Sequence, residues 1–278
     1  MTTVFPKTLT AALAILLVPA LQGRTTAGPF PDKNLEEAVR AAIQQPKGEL
    51  TDAKLVSDVF FLETSKEVRS LQGLEKCTNL AQLKAPKGRI ADLTPLKGLA
   101  NLQSLDLSDN KITDVTPLAG LTKLQFLDLS NNQITKVDPL AKLVNLSALY
   151  LPGNKISDIG PLGTLTKLSS LLLAHNQIKD ISVLTKVTKI STLDLDNNLV
   201  DDLTPVSKQT EVSILMLSNN KIADLAPLVQ ACKADAKGQK RFAPYLRLYI
   251  EGNPLSDAAK SKQLPELKGY GVRVNPKE

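Results

Sequence analysis

The sequence predicts an α/β solenoid, in which short coils of chain stack side by side and share one parallel β-sheet. The first observation is that asparagine recurs every 22 residues over six successive units. The second is that the same apolar residues surround each asparagine at the same offsets. The backbone groups at the corner of a stacked coil need hydrogen-bond partners in every unit. The residue that supplies these partners therefore recurs once per coil. The corner asparagines are Asn110, Asn132, Asn154, Asn176, Asn198 and Asn220, and Asn253 continues the series 33 residues later.

Each coil is predicted to contribute one short strand directly before its asparagine. In one unit, Leu105 and Leu107 alternate with Asp106, as in a strand with one buried and one solvent-facing side. The full template is Leu-x-x-Leu-x-Leu-x-x-Asn-x-Ile, the signature of a leucine-rich repeat. Because an asparagine side chain both donates and accepts hydrogen bonds, we expect the corner residues to form a buried ladder. Each would bond the backbone of its own turn and of the adjacent coil.

The limb that returns to the next strand is predicted to be a short 3₁₀ turn. Several coils carry a threonine or aspartate followed by proline, as at Thr116-Pro117. We interpret the first residue as an N-cap and the proline as the first helical position, where it has no N–H to lose. Aspartates such as Asp114 and Asp158 recur four residues after the corner, so we interpret them as structural acceptors of backbone bonds at a turn.

The chain before the repeats divides into two predicted segments. Residues 1–27 are expected to be a secretory signal peptide, with Lys7 as a positive start and an apolar run from Leu9 to Ala20. The run has about twelve residues, fewer than the roughly twenty that span a membrane. Cleavage after Ala27 or near Ala20 fits the small residues that follow, and the alternative is an uncleaved N-terminal anchor. Residues 28–66 are expected to form a helical cap that covers the first coil. One amphipathic helix is predicted within Pro31 to Gln44 and a second within Leu50 to Phe61.

The repeats themselves are predicted to occupy residues 67–254. The preceding coil is irregular: Lys66 takes the corner, Phe61 takes a core position, and Glu63 stands where an apolar residue should be. Terminal coils have only one neighbour, so departures from the pattern are expected there.

The far end of the chain is predicted to form a C-terminal cap of residues 255–278. Before it, eleven extra residues between Leu228 and Tyr245 would allow a longer helix to replace the short turn. We expect a helix from Pro254 to Lys268 with a break near Pro265. Gly271 to Val274 would then add a last strand.

The solvent-facing strand positions are the candidate functional site, because the solenoid does not dictate their identity. Adjacent strands lie about 4.8 Å apart, so Phe126, Tyr150 and Leu172 should form one apolar patch together with Ala148. Exposed apolar surface bordered by charge is typical of a protein-binding site. The alternative is that such residues simply favour strands. The predicted ligand-binding residues are Phe126, Tyr150, Leu172, Asp106, Asp128, Asp194, Asp196, Met216 and Tyr249.

Other functions find little support in the sequence. His175, the only histidine, directly precedes a corner asparagine and is interpreted as a solvated turn residue. Without a Cys/His cluster, phosphate loop or nucleophile motif, we expect no catalytic residue, metal or cofactor. The net charge of +6 comes from scattered lysines without interleaved aromatic residues, so we expect no nucleic-acid partner. Cys77 and Cys232 would lie roughly 30 Å apart, too far for a disulfide.

The chain resembles the internalin-type class of bacterial leucine-rich repeat proteins. The resemblance rests on the 22-residue unit ITDVTPLAGLTKLQFLDLSNNQ, from Ile112 to Gln133, and on the opening segment FPDKNLEEAVRAAI. It implies a right-handed, curved solenoid with the sheet on the concave side and protein recognition there. Internalins of the invasion type also carry an immunoglobulin-like region and a cell-wall anchor. This sequence contains neither, so we expect the resemblance to end with the repeat domain.

The sequence therefore predicts an exported, non-enzymatic leucine-rich repeat protein that binds a protein or peptide through its concave sheet. We expect it to be a monomer, secreted or held in the bacterial cell envelope, without stable membrane insertion after signal cleavage. The alternative is a structural or envelope-associated protein that contacts peptidoglycan or polysaccharide. A face dominated by aromatic and amide side chains would favour sugar, whereas the mixture of aspartate, tyrosine and leucine here favours protein.

Overall fold

Ten parallel strands in a single open sheet dominate the computed structural model, which describes residues 28–238 and 242–276. The strands follow one another in chain order, so each pairs only with its neighbours along the sequence. The predicted signal peptide lies outside the described residues. The strands are β1 Phe61–Glu63, β2 Gln82–Lys84, β3 Ser104–Asp106, β4 Phe126–Asp128, β5 Ala148–Tyr150, β6 Ser170–Leu172, β7 Thr192–Asp194, β8 Ile214–Met216, β9 Arg247–Tyr249 and β10 Arg273–Val274.

The hydrophobic core runs without interruption through the coils. The central residue of each strand from β2 to β8 is buried, and its two neighbours are partly exposed. In the coil of Asn154, for example, Leu149, Leu151 and Ile156 have no measurable exposure. Cys77 is also fully buried, and neither it nor the buried Cys232 forms a disulfide, as predicted. The apolar positions that recur in the sequence are therefore the positions that pack in the core of the solenoid.

The corner asparagines form the predicted ladder. The Asn154 Nδ2 donates to the carbonyl oxygens of Leu129 and Leu151, both at 3.0 Å, and its Oδ1 accepts from the Ile134 N–H at 3.0 Å. Since Leu129 and Ile134 belong to the preceding coil, one side chain bonds two coils together. The same pattern continues to Asn253, whose Oδ1 accepts from the Ile222 N–H at 3.1 Å and whose Nδ2 donates to the carbonyl oxygens of Leu217 and Ile250. Beyond it, the Oδ1 of Asn275 accepts from the Ile250 N–H at 2.8 Å, a different contact that follows the end of the last strand. Sequence reasoning did not identify this last contact.

The residue before each corner adopts the left-handed backbone conformation. Its φ is 55° or 56° in six coils, and Gly153 and Gly252 take the same place with φ of 66° and 70°. Asparagine, aspartate and glycine tolerate this conformation best. His175, with φ of 55°, is thus a turn residue of the solenoid. The six non-glycine residues are Lys87, Asp109, Asn131, His175, Asn197 and Asn219.

Short 3₁₀ turns connect the strands, as predicted, but their capping differs from the expectation. Thr116 is not an N-cap: it is the first residue of its turn, and Val115 precedes it without a side-chain cap. The Asp114 Oδ1 instead accepts the Thr116 N–H at 2.8 Å, so the recurrent aspartate satisfies the turn's free donor. The turns are Leu74–Lys76, Thr94–Leu96, Thr116–Gly120, Asp138–Lys142, Gly160–Thr164, Ser182–Lys186, Thr204–Lys208 and Ala243–Tyr245.

Two helices precede the sheet. Helix α1, Lys33–Ala42, begins at Asp32, whose Oδ1 accepts from the N–H groups of Asn34 and Leu35. The other carboxylate oxygen of Asp32 accepts from the Arg69 N–H at 2.7 Å, which ties the start of α1 to the first coil. Helix α2, Asp52–Asp58, follows, and α1 packs beside β1. The helical N-terminal cap is therefore present.

The predicted register of the first coil was wrong by one residue. Leu62 pairs with Leu83 and is 1% exposed, whereas Phe61, expected in the core, is 68% exposed. These two leucines are 21 residues apart rather than 22, and a shift of one residue moves every side chain of a strand to the opposite face. Glu63 consequently faces outwards and forms an ion pair with Lys84 at 3.8 Å.

The C-terminal part contains the predicted longer helix, α3 Ala226–Lys237, and the last strand β10. The break expected near Pro265 is absent. Ala259–Gln263 form a wider π-helical turn, and helix α4, Leu264–Gly269, continues directly from it. Pro265 is the second residue of α4 and directly follows this wider turn, a local irregularity of the kind that accompanies proline within helices. Within the described ranges, no helix has both the length and the apolar character needed to cross a membrane.

We expect Asn154→Ala to lower the free energy of unfolding by roughly 1–3 kcal/mol, because it leaves buried backbone groups of two coils without partners. Lys155→Ala, at an exposed neighbouring position, is the matched control and should change stability little. Urea unfolding of both variants measures the difference. Equal midpoints would show that the ladder does not hold the coils together.

Candidate protein-binding face

The solvent-facing side chains of β1–β10 form one surface, here called the outer sheet face. The pairing register brings the predicted residues together on it: Phe126 lies opposite Ala148, and Tyr150 lies between Asp128 and Leu172 on the neighbouring strands. The buried leucine at the centre of each strand fixes the direction of both flanking side chains. Their positions therefore follow from the core, although their identities do not.

Four side chains at the middle of this face form the apolar patch, which consists of Phe126, Ala148, Tyr150 and Leu172. The Phe126 and Tyr150 rings meet edge to face, with centroids 5.2 Å apart and planes at 83°. All four residues are partly rather than fully exposed. Edge-to-face pairs contribute about 0.5–1.5 kcal/mol beyond burial, so this contact orders the patch before any partner arrives.

Asp106 and Asp128, the first acidic pair, lie side by side on β3 and β4 at one border of the patch. The Oδ1 of Asp106 accepts from the Ser108 N–H and hydroxyl, at 3.0 and 2.7 Å. Asp128 accepts the same two bonds from Ser130. Burial raises the pKa of Asp128, and the charge of Asp106 adds to that rise, although the Ser130 bonds oppose it. Sequence reasoning missed both serines, though Asp-x-Ser recurs there one coil apart.

Asp194 and Asp196, the second acidic pair, lie beyond the opposite border. The Asp194 Oδ1 accepts from the Asp196 N–H at 3.0 Å, and the Asp196 Oδ1 accepts from the Ser218 N–H of the next coil. Burial raises the pKa of Asp194 to about 6, and the Asp196 charge contributes to that rise. Burial also raises the pKa of Asp196, whereas the nearby His175 lowers the pKa of both carboxyl groups.

The part of the outer sheet face from β3 to β7 is acidic although the whole chain carries a net charge of +6. The basic side chains of the face lie outside this part, and Arg273 is on the last strand, β10. Among the described residues, the members of the two acidic pairs form no ion pair with lysine or arginine. Lys84 on β2 is already paired with Glu63, and the exposed Arg247 lies on β9, two strands beyond Asp194. The four aspartates therefore present negative charge that no lysine or arginine of the described residues pairs with.

Two further predicted residues lie beyond the second acidic pair. Met216 pairs with Asp194 on one side and Tyr249 on the other, so Asp194 separates them from the apolar patch. A row of serines lies at the start of the strands and was not identified from the sequence. Each serine hydroxyl donates to the backbone carbonyl one coil earlier, at 3.0–3.2 Å. These serines are Ser147, Ser169, Ser191 and Ser213.

The fold and the repeated sequence define the chain as a leucine-rich repeat protein. The family model described as Leucine Rich repeats (2 copies) matches residues 100–142, 122–164 and 166–208. No curated protein sequence matches the chain. The crystal structure of internalin C2 from Listeria monocytogenes is similar, with a TM-score of 0.70 and 36% identity over 72% of this chain and 89% of that one.

Two other solved structures are also similar. The Listeria monocytogenes internalin InlF has a TM-score of 0.68 and 31% identity, over 88% of this chain and 75% of that one. The plant peptide hormone receptor RGFR1, in complex with RGF2, shares the fold alone. Its TM-score is 0.52 and its identity 24%, over 64% of this chain and 30% of that one. The two Listeria proteins show the family: this chain belongs to the internalin-type leucine-rich repeat proteins.

We expect Asp194→Asn to stabilise the protein more at pH 7.5 than at pH 5. The pKa of this carboxyl group is raised from its ordinary value of 3.8 to about 6 in the folded state. Ionisation of the group therefore costs more in the folded than in the unfolded protein, and above about pH 6 the whole of this cost opposes folding. That penalty falls as the pH drops from 6 towards 4. The amide oxygen of asparagine can still accept the Asp196 N–H.

Urea unfolding of wild type and variant at the two pH values measures this change. Asp114→Asn is the matched control, since Thr116 lowers the pKa of Asp114 and this group stays ionised at both values. Its effect should not vary between pH 5 and pH 7.5. An equally pH-independent effect of Asp194→Asn would contradict the account.

Proposed function

We propose that this protein is an exported, non-enzymatic binding protein that recognises a protein or peptide through its outer sheet face. The observation that carries the proposal is the apolar patch with its edge-to-face aromatic pair. The leucines at the centres of the strands already fill the core, so the solenoid makes no use of these side chains. Partly exposed aromatic and leucine side chains held in place by a rigid sheet suit the role of interface residues.

The surroundings of the patch support a polypeptide partner over a polysaccharide. Carboxylates border the patch on both sides, which matches the apolar centre and polar rim of protein interfaces. The plant receptor with the same fold was solved with the peptide RGF2, so a solenoid of this kind can hold a peptide. Binding through preorganised side chains also requires no catalytic group, and we propose none.

We further propose that the protein acts outside the cytoplasm, as a secreted or envelope-associated monomer. The support is the sequence of residues 1–27, with Lys7 followed by the apolar run Leu9 to Ala20. The N-terminal sequence of the protein from its native host tests this, because an intact Met1 on cytoplasmic protein would contradict export.

The double variant Tyr150→Ser with Leu172→Ser should lose the partner while keeping the fold. Neither residue belongs to the buried core, and truncating interface residues of this kind costs on the order of 2 kcal/mol each. Their combined loss corresponds to a weakening of about a hundredfold or more. Immobilised wild type and variant would capture proteins from the native envelope and secretome, and titration of each captured protein would give the affinities.

Val144→Ser with Leu199→Ser is the matched control. Both residues are exposed, at 46% and 43%, and both lie off the strands. This variant should retain the partners of the wild type. Binding that survives in the Tyr150 and Leu172 variant would place the interface elsewhere. Retention by purified peptidoglycan or polysaccharide, with no protein captured, would favour the structural alternative.

A further inference from the structure

We propose that the partner is a polypeptide segment with a cationic side chain on each side of its apolar centre. One cation meets the first acidic pair, the other meets the second acidic pair, and the apolar centre rests on the patch between them. This inference rests on the proposed function, because it assumes that the outer sheet face is the interface. It adds the charge pattern that selects the partner.

Carboxylates of the acidic pairs can accept further hydrogen bonds. Asp106, Asp128 and Asp194 use only their Oδ1 in the hydrogen bonds that orient them, whereas Asp196 accepts from both the N–H and the side chain of Ser218. Among the described residues, the Oδ2 of Asp106, Asp128 and Asp194 accepts no hydrogen bond. The backbone and serine bonds fix the direction of each carboxylate, so little freedom is lost when a lysine or arginine binds there.

A cation would also relieve a cost that the free protein bears. Asp106 and Asp128 are like charges directly opposite each other on adjacent strands. The raised pKa of Asp128 and Asp194 has partial burial as its largest cause, so water solvates these carboxylates poorly. A partner cation replaces the missing solvation, and charge-assisted bonds of this kind are the stronger ones.

The net charge of +6 does not reverse this preference. At physiological ionic strength the Debye length is about 8 Å, so exposed lysines further away than this are largely screened. A side chain that reaches the outer sheet face interacts mainly with the nearby carboxylates. The local field therefore decides which partner fits, and the net charge mainly affects association at low salt.

The spacing of the pairs favours a polypeptide over a metal ion. β4 and β7 are three strand spacings apart, which is roughly 14 Å and far beyond the reach of one ion. No group of three or more metal-ligating side chains occurs among the described residues. A span of roughly 14 Å equals about four residues of extended chain or nine of helix. Basic residues at either interval would reach both pairs.

A phage-displayed library of random 15-residue peptides, selected on the wild-type protein at 0.15 M salt and pH 7.5, provides the probe. We expect enrichment of sequences with lysine or arginine on both sides of an aromatic or aliphatic residue. The most enriched peptide would then be titrated against two variants, Asp106→Asn with Asp128→Asn, and Asp194→Asn with Asp196→Asn. Each should weaken binding about tenfold, because each removes a charge-assisted contact.

Asp114→Asn with Asp158→Asn is the matched control. It makes the same chemical change in the turns behind the sheet and should leave affinity unchanged. Selected peptides that need Tyr150 and Leu172 but lack basic residues, or that ignore the face aspartates, would overturn this inference alone. Peptides unaffected by the Tyr150 and Leu172 variant, or no enrichment at all, would overturn the proposed function and the inference with it.

Discussion

The hydrogen bonds of the corner asparagines are the constraint on which the rest of this structure depends. At every corner the chain turns sharply, with the preceding residue in the left-handed conformation, and buried backbone groups are left without partners in their own coil. One amide side chain satisfies carbonyl oxygens of two coils and an N–H of the earlier one. Since each asparagine bonds the same backbone groups of the preceding coil, the ladder fixes the parallel register of the strands. It does so even across the 33-residue step from Asn220 to Asn253, where the insertion lengthens the coil behind the sheet.

The same regularity explains why a binding face can develop on this scaffold. The buried leucines and the corner asparagines determine where each strand lies, and the outward side chains contribute little to that. The outer sheet face can therefore include residues that lower the stability of the fold, which a core could not tolerate. Examples are the like charges of Asp106 and Asp128 on adjacent strands and the partly buried carboxylate of Asp194. The patch between these aspartates is ordered by the contact of Phe126 with Tyr150. Binding residues are thus held rigidly without being needed for folding.

Much of the fold could be predicted from the sequence, because strict recurrence exposes both the core positions and the corners. The errors lie where recurrence fails. The first coil is one residue shorter than the regular coils. Counting by 22 therefore placed Phe61 in the core, whereas Leu62 occupies that position. Pro265 was expected to break a helix, but a π-helical turn precedes it and the helix continues. Threonine is a residue type that often caps helices, so Thr116 was expected to be an N-cap. In the structure, Asp114 accepts the free N–H of Thr116 instead.

The position of the candidate site could be predicted from the sequence, but the burial, hydrogen bonds and pKa values of its side chains could not. Counting back from the corner asparagines placed Phe126, Tyr150 and Leu172 on one surface, and the pairing register gives the same arrangement. Their partial burial, and the roles of Ser108 and Ser130, depend on side-chain contacts across strands that no one-dimensional pattern contains. The raised pKa of Asp194 likewise arises from burial that only the folded coils create.

Native-state hydrogen exchange of the wild-type protein tests the central claim most directly. The N–H groups of Ile112, Ile134 and Val200 donate to corner asparagines in the core, whereas those of Thr116 and Thr204 donate to exposed aspartates at the turns. If the ladder holds the coils together, the first three should exchange only through global unfolding, with similar free energies in distant coils. The two turn amides should exchange through local opening. Ladder amides that exchange as readily as those of Thr116 and Thr204 would contradict the account.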